Sequence, residues 1–235
     1  MSLNVLIVED DDRIRASLRL ALEDEGYGVE EAASAEAALA RIGSHGTPDM
    51  MIVDLMLGGM DGFSCIRGVR QSSDVPIVVV SARADTHDVV AALEAGADDY
   101  VTKPFEIKEI TARLRALRRR AAVTSQASAP AELVLESDGE DPLVLSVDAG
   151  TVRRGDHPVH LTLTEFRLLC ELAGEPGRVL SRTALLARVW DRGFFGDERI
   201  VDVHVRRLRT KIERDPAAPS VVVTVRGLGY RLDVH

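Results

Sequence analysis

Five times in the first 120 residues a short apolar run is followed by a segment of helical period, and this alternation constrains the fold more than any other feature. The runs at Asn4–Val8, Val29–Ala32, Met50–Val53, Ile77–Ser81 and Asp99–Val101 read as strands. Amphipathic stretches at about 12–24, 35–42, 62–70, 86–95 and 106–119 read as helices. Ser34 and Gly43 bracket one helix, and Asp85 and Gly96 another. Repeated βα units require a parallel sheet with helices on both faces, and strands covered on both faces become continuous apolar runs. Such sheets place ligand chemistry at the carboxyl ends of their strands.

The texture then changes. Residues 121–131 (AAVTSQASAPA) are small, polar and Pro-containing and read as a linker between a domain at 1–120 and one at 132–235. Leu133–Leu135, Leu143–Val147, Thr151–Arg154 and Pro158–Leu161 are short, closely spaced antiparallel strand candidates. Thr162 and Glu165 form a capping-box pattern ahead of a helix to about Ala173. Ser181 opens a second helix through Trp190, and a third runs from about Arg199 to Glu213. Val221–Val225, a Gly-rich turn and Tyr230–Val234 close the chain as a hairpin. Three helices followed by a hairpin describe a winged helix.

Charge follows the same division. The chain carries a net charge of −9, yet residues 199–235 hold eight bases and four acids. Contact with a polyanion is therefore expected there and not elsewhere. The longest apolar runs fall well short of the roughly 18 residues of a membrane span, and no basic n-region or long apolar h-region opens the sequence. These features predict a cytoplasmic protein with no membrane partner. Cys65 and Cys170 are expected to be buried free thiols.

The acids of the first domain gather at strand ends. Glu9-Asp10-Asp11-Asp12 follows the first strand and Asp54 ends the third. Converging carboxylates are hard oxygen ligands of the kind Mg2+ takes, although an acid run after a strand also serves as a solvated loop and helix cap. Ser81 ends the fourth strand, and Lys103, one of three lysines in the chain, follows the fifth. A hydroxyl and a lysine beside a carboxylate cluster can donate to phosphoryl oxygens.

With these residues in place the sequence resembles a known family. Residues 1–120 are similar to the flavodoxin-like (βα)5 receiver domain of two-component response regulators, an α/β fold. Residues 132–235 resemble the winged-helix (α+β) DNA-binding domain of the OmpR/PhoB class. The matching motifs are VLIVEDD, VDLMLGGMDG, VVVSAR, EAGADDYVTKPF, LTLTEFRLL, LSRTALLARVW, VDVHVRRLRTKI and TVRGLGYRL. The resemblance implies that Asp54 is the phosphoacceptor for a sensor histidine kinase. Asp10, Asp54 and the Met56 carbonyl would hold Mg2+, with Glu9 helping through water. Lys103 and Ser81 would contact the phosphoryl group, Tyr100 would turn inward behind it, and Lys103-Pro104 would be a cis peptide. A carboxylate nucleophile assisted by a metal fits this chemistry. One departure is Gly58, where the family usually has Pro; Gly58-Gly59 should loosen the loop after Asp54 and alter rate or phosphoryl lifetime.

The resemblance also implies a homodimer formed on activation through the fourth helix, fifth strand and fifth helix, with Asp98, Asp99, Glu109, Arg113, Arg115 and Arg119 as charged interface positions. Val89 and Ala91 replace basic residues common in the family, which would thin that network. In the second domain Val201, Val205, Leu208 and Ile212 form the core stripe of the third helix. Arg199, Val203, Arg206, Arg207 and Thr210 fall on the opposite face, suited to a major groove of double-stranded promoter DNA. By resemblance Arg207 and Val203 read bases, Arg199, Arg206 and Arg209 hold phosphates, Thr224 binds backbone and Arg226 enters the minor groove. Trp190 and Phe166 are expected in the core. The loop Asp191–Glu198, with Phe194 and Phe195, matches a segment that touches RNA polymerase, or packs on its own domain.

Two other classes fit the sequence less well. An Asp-nucleophile phosphatase of the haloacid-dehalogenase kind requires a second Asp two residues after the nucleophile, where Met56 stands. A DNA-binding regulator with a vestigial, phosphorylation-independent receiver would have little use for the full set of Asp10, Asp54, Ser81 and Lys103.

Overall fold

The computed structural model describes residues 3–122, 132–137, 141–190 and 198–235, without the side chains of residues 116 and 118–122. The chain divides into two compact units, Met1–Leu117 and Arg118–His235.

The first unit is built from five βα repeats. The strands are β1 (Asn4–Val8), β2 (Gly28–Ala32), β3 (Met50–Val53), β4 (Ile77–Ser81) and β5 (Asp99–Thr102). They form one parallel sheet in the order β2-β1-β3-β4-β5. The helices are α1 (Asp12–Asp24), α2 (Ala35–His45), α3 (Gly62–Arg70), α4 (Thr86–Ala95) and α5 (Ile107–Ala122), and the division between the units falls within α5. Residues 5–8 of β1, and β3 and β4 throughout, are buried, as continuous apolar runs require. β2 differs. It is an edge strand, half-covered, and its Glu30 and Glu31 pair with Arg41 and with Arg15 and Arg19. α2 runs through Gly43 and ends at Gly46, not at the earlier glycine. α5 takes up Ala121 and Ala122 of the expected linker; residues 123–131 lie outside the described residues.

The second unit has an antiparallel sheet of β6 (Glu132–Glu136), β7 (Leu143–Ser146), β8 (Thr151–Arg154) and β9 (His157–Pro158). β9 is only two residues long, a correction to the run expected over 158–161. One further bond joins Val159 N–H to Val152 O at 2.8 Å. Beyond it Thr162 is already committed as the N-cap of α6 (Leu163–Ala173). There the capping box forms in full, with Glu165 N–H donating to Thr162 Oγ1 and Thr162 N–H to Glu165 Oε2. α7 (Arg182–Val189), capped by Ser181, and α8 (Arg199–Ile212) follow, then the hairpin β10 (Val222–Val225) and β11 (Gly229–Leu232). Leu180 pairs with Tyr230, tying the approach to α7 to the hairpin. Trp190 is buried and Phe166 half-buried, while Phe194 and Phe195 lie outside the described residues. No helix among the described residues is long and apolar enough to cross a membrane.

Candidate functional site

Parallel pairing brings the ends of β1, β3 and β4 level. Val8 pairs with Val53, Val53 with Val79, and Asp54 N–H donates to Val8 O at 2.9 Å. Glu9 and Asp54 therefore leave adjacent strands side by side. Ser81 pairs with Thr102, and Lys103 N–H donates to Ser81 O at 2.8 Å, which brings the fifth strand end to the same edge.

The acid run divides its labour. Asp11 caps α1, its carboxylate accepting from the Ile14 and Arg13 N–H groups, which hold its pKa below the usual range. Asp12 sits in the first turn and pairs with Arg15. Glu9, Asp10 and Asp54 remain, and each offers a carboxylate oxygen within 4.8 Å of the others. Glu9 and Asp54 are buried and Asp10 is exposed. Lys103 Nζ donates to Asp54 Oδ2 at 2.6 Å and to Glu9 Oε2 at 2.8 Å. The second Asp54 oxygen, Oδ1, accepts from Met56 N–H at 3.0 Å. Burial pushes the Glu9 carboxyl up against the pull of Lys103, with the Asp54 charge adding to the rise. Burial works to lower the Lys103 pKa, but the hydrogen bonds to Asp54 and Glu9 outweigh it and hold the ammonium charged.

Two of the three carboxylates, Glu9 and Asp54, share one ammonium here, and Asp10 lies beside them. An all-oxygen set with one member open to water suits Mg2+, which keeps part of its hydration. Ser81 is buried, and its Oγ accepts from Arg83 N–H at 3.5 Å, the long limit of a hydrogen bond. The Tyr100 ring is already buried, its hydroxyl donates to Arg83 O at 2.5 Å, and burial raises its pKa to about 12. Lys103-Pro104 is cis.

Two further residues shape the site. A Cβ at Gly62 would stand 2.1 Å from Asp54 O, so only glycine lets the start of α3 lie on the Asp54 backbone. The motif carrying Gly62 was legible, but its role was not. Glu36, on α2, accepts from Met60 N–H at 2.9 Å. No local sequence signal ties it to the loop after Asp54.

The charged positions expected at a dimer face are largely engaged within the unit. Asp98 is fully buried, receives Ile77 N–H at 3.0 Å and pairs with Arg70 at 2.9 Å. Its expected interface role is corrected, since a carboxylate holding β4 and α3 together is not presented to a partner. Asp99 is buried and pairs with Arg113, which also holds Glu109. Arg115 pairs with Glu25. The Arg119 side chain lies outside the described residues, and Val89 and Ala91 are half-buried.

In the second unit, Val201, Val205, Leu208 and Ile212 are buried as the stripe requires. Two outward placements are corrected. Val203 is only 7% exposed, because the buried arc of α8 also takes in Ile200 and His204. Arg207 Nη2 pairs at 2.8 Å with Glu165 Oε1, a carboxylate with no exposure, and Lys211 Nζ reaches Glu165 Oε2 at the same distance. Arg209 donates to Val222 O and Thr224 Oγ1 and lies over the Tyr230 ring. Burial lowers its pKa. Arg199, Arg206, Thr210, Thr224 and Arg226 are exposed.

A five-stranded parallel sheet with this strand-end cluster, and a winged helix bearing arginines on its third helix and hairpin, define a two-component response regulator with a DNA-binding effector domain of the OmpR/PhoB type, and the chain belongs to that family. Residues 5–115 match the response regulator receiver domain, and residues 156–232 match the transcriptional regulatory protein, C terminal, domain. The chain is 48% identical over 234 residues to transcriptional regulatory protein CseB of Streptomyces avermitilis, covering 97% of each. It is 44% identical over 230 residues to sensory transduction protein RegX3 of Mycolicibacterium smegmatis, covering 98% of this chain and 99% of the relative. A solved structure of a RitR mutant matches with a TM-score of 0.76 at 26% identity, covering 100% of both chains. The protein is a transcriptional regulator.

Proposed function

We propose that Asp54 accepts a phosphoryl group from the phosphohistidine of a sensor histidine kinase in the cytoplasm, and that this promotes homodimerisation and binding to promoter DNA. The observation that carries the reading is Lys103 Nζ bridging Asp54 and Glu9 at the edge where four strands end. A carboxylate oxygen of Asp54 attacks phosphorus, the histidine nitrogen leaves with its electron pair, and an acyl phosphate results. Asp10, Asp54 and the Met56 carbonyl would hold Mg2+, with Glu9 acting through water. When bound, the ion supplies charge neutralisation at the transferring group. Lys103 exchanges its Asp54 contact for a phosphoryl oxygen. Ser81 Oγ donates to another, and because Arg83 N–H and the Tyr100 hydroxyl both meet this segment, that movement reaches α4 and β5. Dimerisation through α4, β5 and α5 would draw on Glu109, Arg113, Arg115, Asp99 and Arg119, and requires the Asp99–Arg113 pair to exchange partners.

On DNA, Arg199 and Arg206 hold phosphates, Thr224 contacts backbone and Arg226 enters the minor groove. Arg209 acts through Thr224, and Arg207 reaches a base only by leaving Glu165. A contact of residues 191–198 with RNA polymerase belongs to the same reading.

Intact mass after incubation with Mg2+ and acetyl phosphate tests the switch. One added phosphoryl group on the parent, none on Asp54→Ala and none without Mg2+ supports it. A parent left unmodified both by acetyl phosphate and by a promiscuous kinase leaves a phosphorylation-independent DNA-binding regulator.

A further inference from the structure

The loop from Asp54 to α3 is held at both ends and slack in the middle. At its start Met56 N–H binds Asp54 Oδ1 and Leu57 is buried. At its end Asp61 caps α3, its carboxylate accepting from Ser64 N–H at 2.7 Å. Between them stand two glycines. A Cβ built on Gly58 would meet only Asp10 Oδ2, at 4.0 Å, so almost nothing packs on the chain there. Gly59 has φ +83, a left-handed backbone. The next residue, Met60, donates its N–H to Glu36 Oε1 at 2.9 Å, a link across 24 residues from the second residue of α2. A Cβ at Gly59 would stand 3.0 Å from that same oxygen, so the glycine makes room for the carboxylate as well as supplying the turn.

We propose that Glu36 is a positioning residue for the phosphoacceptor site. By holding Met60 it removes the slack of Gly58-Gly59 and fixes the Met56 carbonyl where an Mg2+ ion is to be bound. The proposal rests on the reading above that Asp10, Asp54 and Met56 hold the metal. Glu36 touches neither metal nor phosphoryl group, and its effect runs through the backbone.

The separating feature is acceptor against charge. Glu36→Gln keeps an oxygen for Met60 N–H and loses the charge, both near the metal and at the start of α2. Glu36→Ala loses both. Mg2+ binding to the full-length chain, measured calorimetrically, is expected to weaken about three- to tenfold in Glu36→Ala, the size of one hydrogen bond, and to stay within about twofold of the parent in Glu36→Gln. Without Mg2+, exchange of the Met60 amide hydrogen is expected to quicken in Glu36→Ala and not in Glu36→Gln. Proline at position 58 stiffens the loop independently, so the effect of Glu36→Ala should shrink to within about twofold in a Gly58→Pro background. Equal Mg2+ affinity in the parent and Glu36→Ala overturns the proposal, as does equal weakening in both Glu36 variants. A parent that binds no Mg2+ overturns it together with the metal part of the function. A parent that takes no phosphoryl group, while the Ala and Gln variants still differ, removes the phosphorylation reading and supports the role of Glu36.

Discussion

Glu165 shows how one buried carboxylate decides what its neighbours can do. It closes the capping box of α6 and receives Arg207 and Lys211, so Arg207 serves the domain before it can serve DNA. Removing the arginine leaves buried negative charge less well matched, so Arg207→Ala should cost about 1–3 kcal/mol of stability in denaturant unfolding. Arg206→Ala should stay within about 0.5 kcal/mol of the parent and weaken DNA binding; the reverse ranking would exchange the roles assigned to these two arginines. Burial, with the Glu36 charge adding, raises the Cys65 thiol to about 11. Native Cys65 should therefore resist iodoacetamide at pH 8 and react once the chain is unfolded, which mass spectrometry reads directly. The residue types of the Glu9, Asp10, Asp54 and Lys103 cluster were legible in the sequence. The burial of Val203 and Arg207 was not, because helical period assigns a face without saying how far around the helix its neighbours reach.

Between elements, the close contacts are set by backbone. Gly62 lets α3 begin on the Asp54 carbonyl, and Gly62→Ala should destabilise the first unit by about 1–3 kcal/mol through overpacking, measured by thermal or denaturant unfolding. In the second unit Glu136 of β6 pairs with Arg154 at 2.8 Å and with Arg214 at 2.6 Å, joining the sheet to the segment after α8. Burial works to raise its pKa, but the hydrogen bonds to Arg214 and Arg154 outweigh it and the folded value lies below the ordinary 4.5. A carboxylate with a depressed folded pKa contributes stability above its unfolded pKa and loses it as pH falls through the folded one. Parent stability should therefore decline below about pH 4.5 more steeply than that of Glu136→Gln; parallel curves for the two would contradict it. Strand and helix positions were largely legible because period 2 and period 3.6 differ within a few residues. The misplaced ends of α2 and β9 show the limit, since a glycine or a β-prone run ends an element only where the surrounding packing allows it.

At the scale of the whole molecule, charge is divided by function. Acidity gathers in the strand-end carboxylate cluster and across the first domain, and the excess of bases lies in residues 199–235. DNA affinity should fall steeply with salt, and if Arg199 and Arg206 hold phosphates as proposed, removal of either should reduce the log–log salt slope by about one. An unchanged slope would place those arginines off the phosphates. If phosphorylation drives dimerisation, sedimentation should show a shift towards dimer in parent treated with acetyl phosphate and Mg2+, and none in Asp54→Ala.

The sequence by itself determined the two folds, their order and the residue types that gather at the strand ends of the first. Each of these follows from local periodicity and from which residue types end the strands of a parallel sheet. Only the tertiary structure decided that Asp98 faces inward to Arg70, that Arg207 belongs to Glu165, and that Glu36 reaches the Met60 amide. Those are contacts between residues 24 to 42 positions apart in the chain. A charged side chain satisfied at such range leaves no mark on the local pattern, because its partner is chosen by how helices and strands pack and not by spacing along either one.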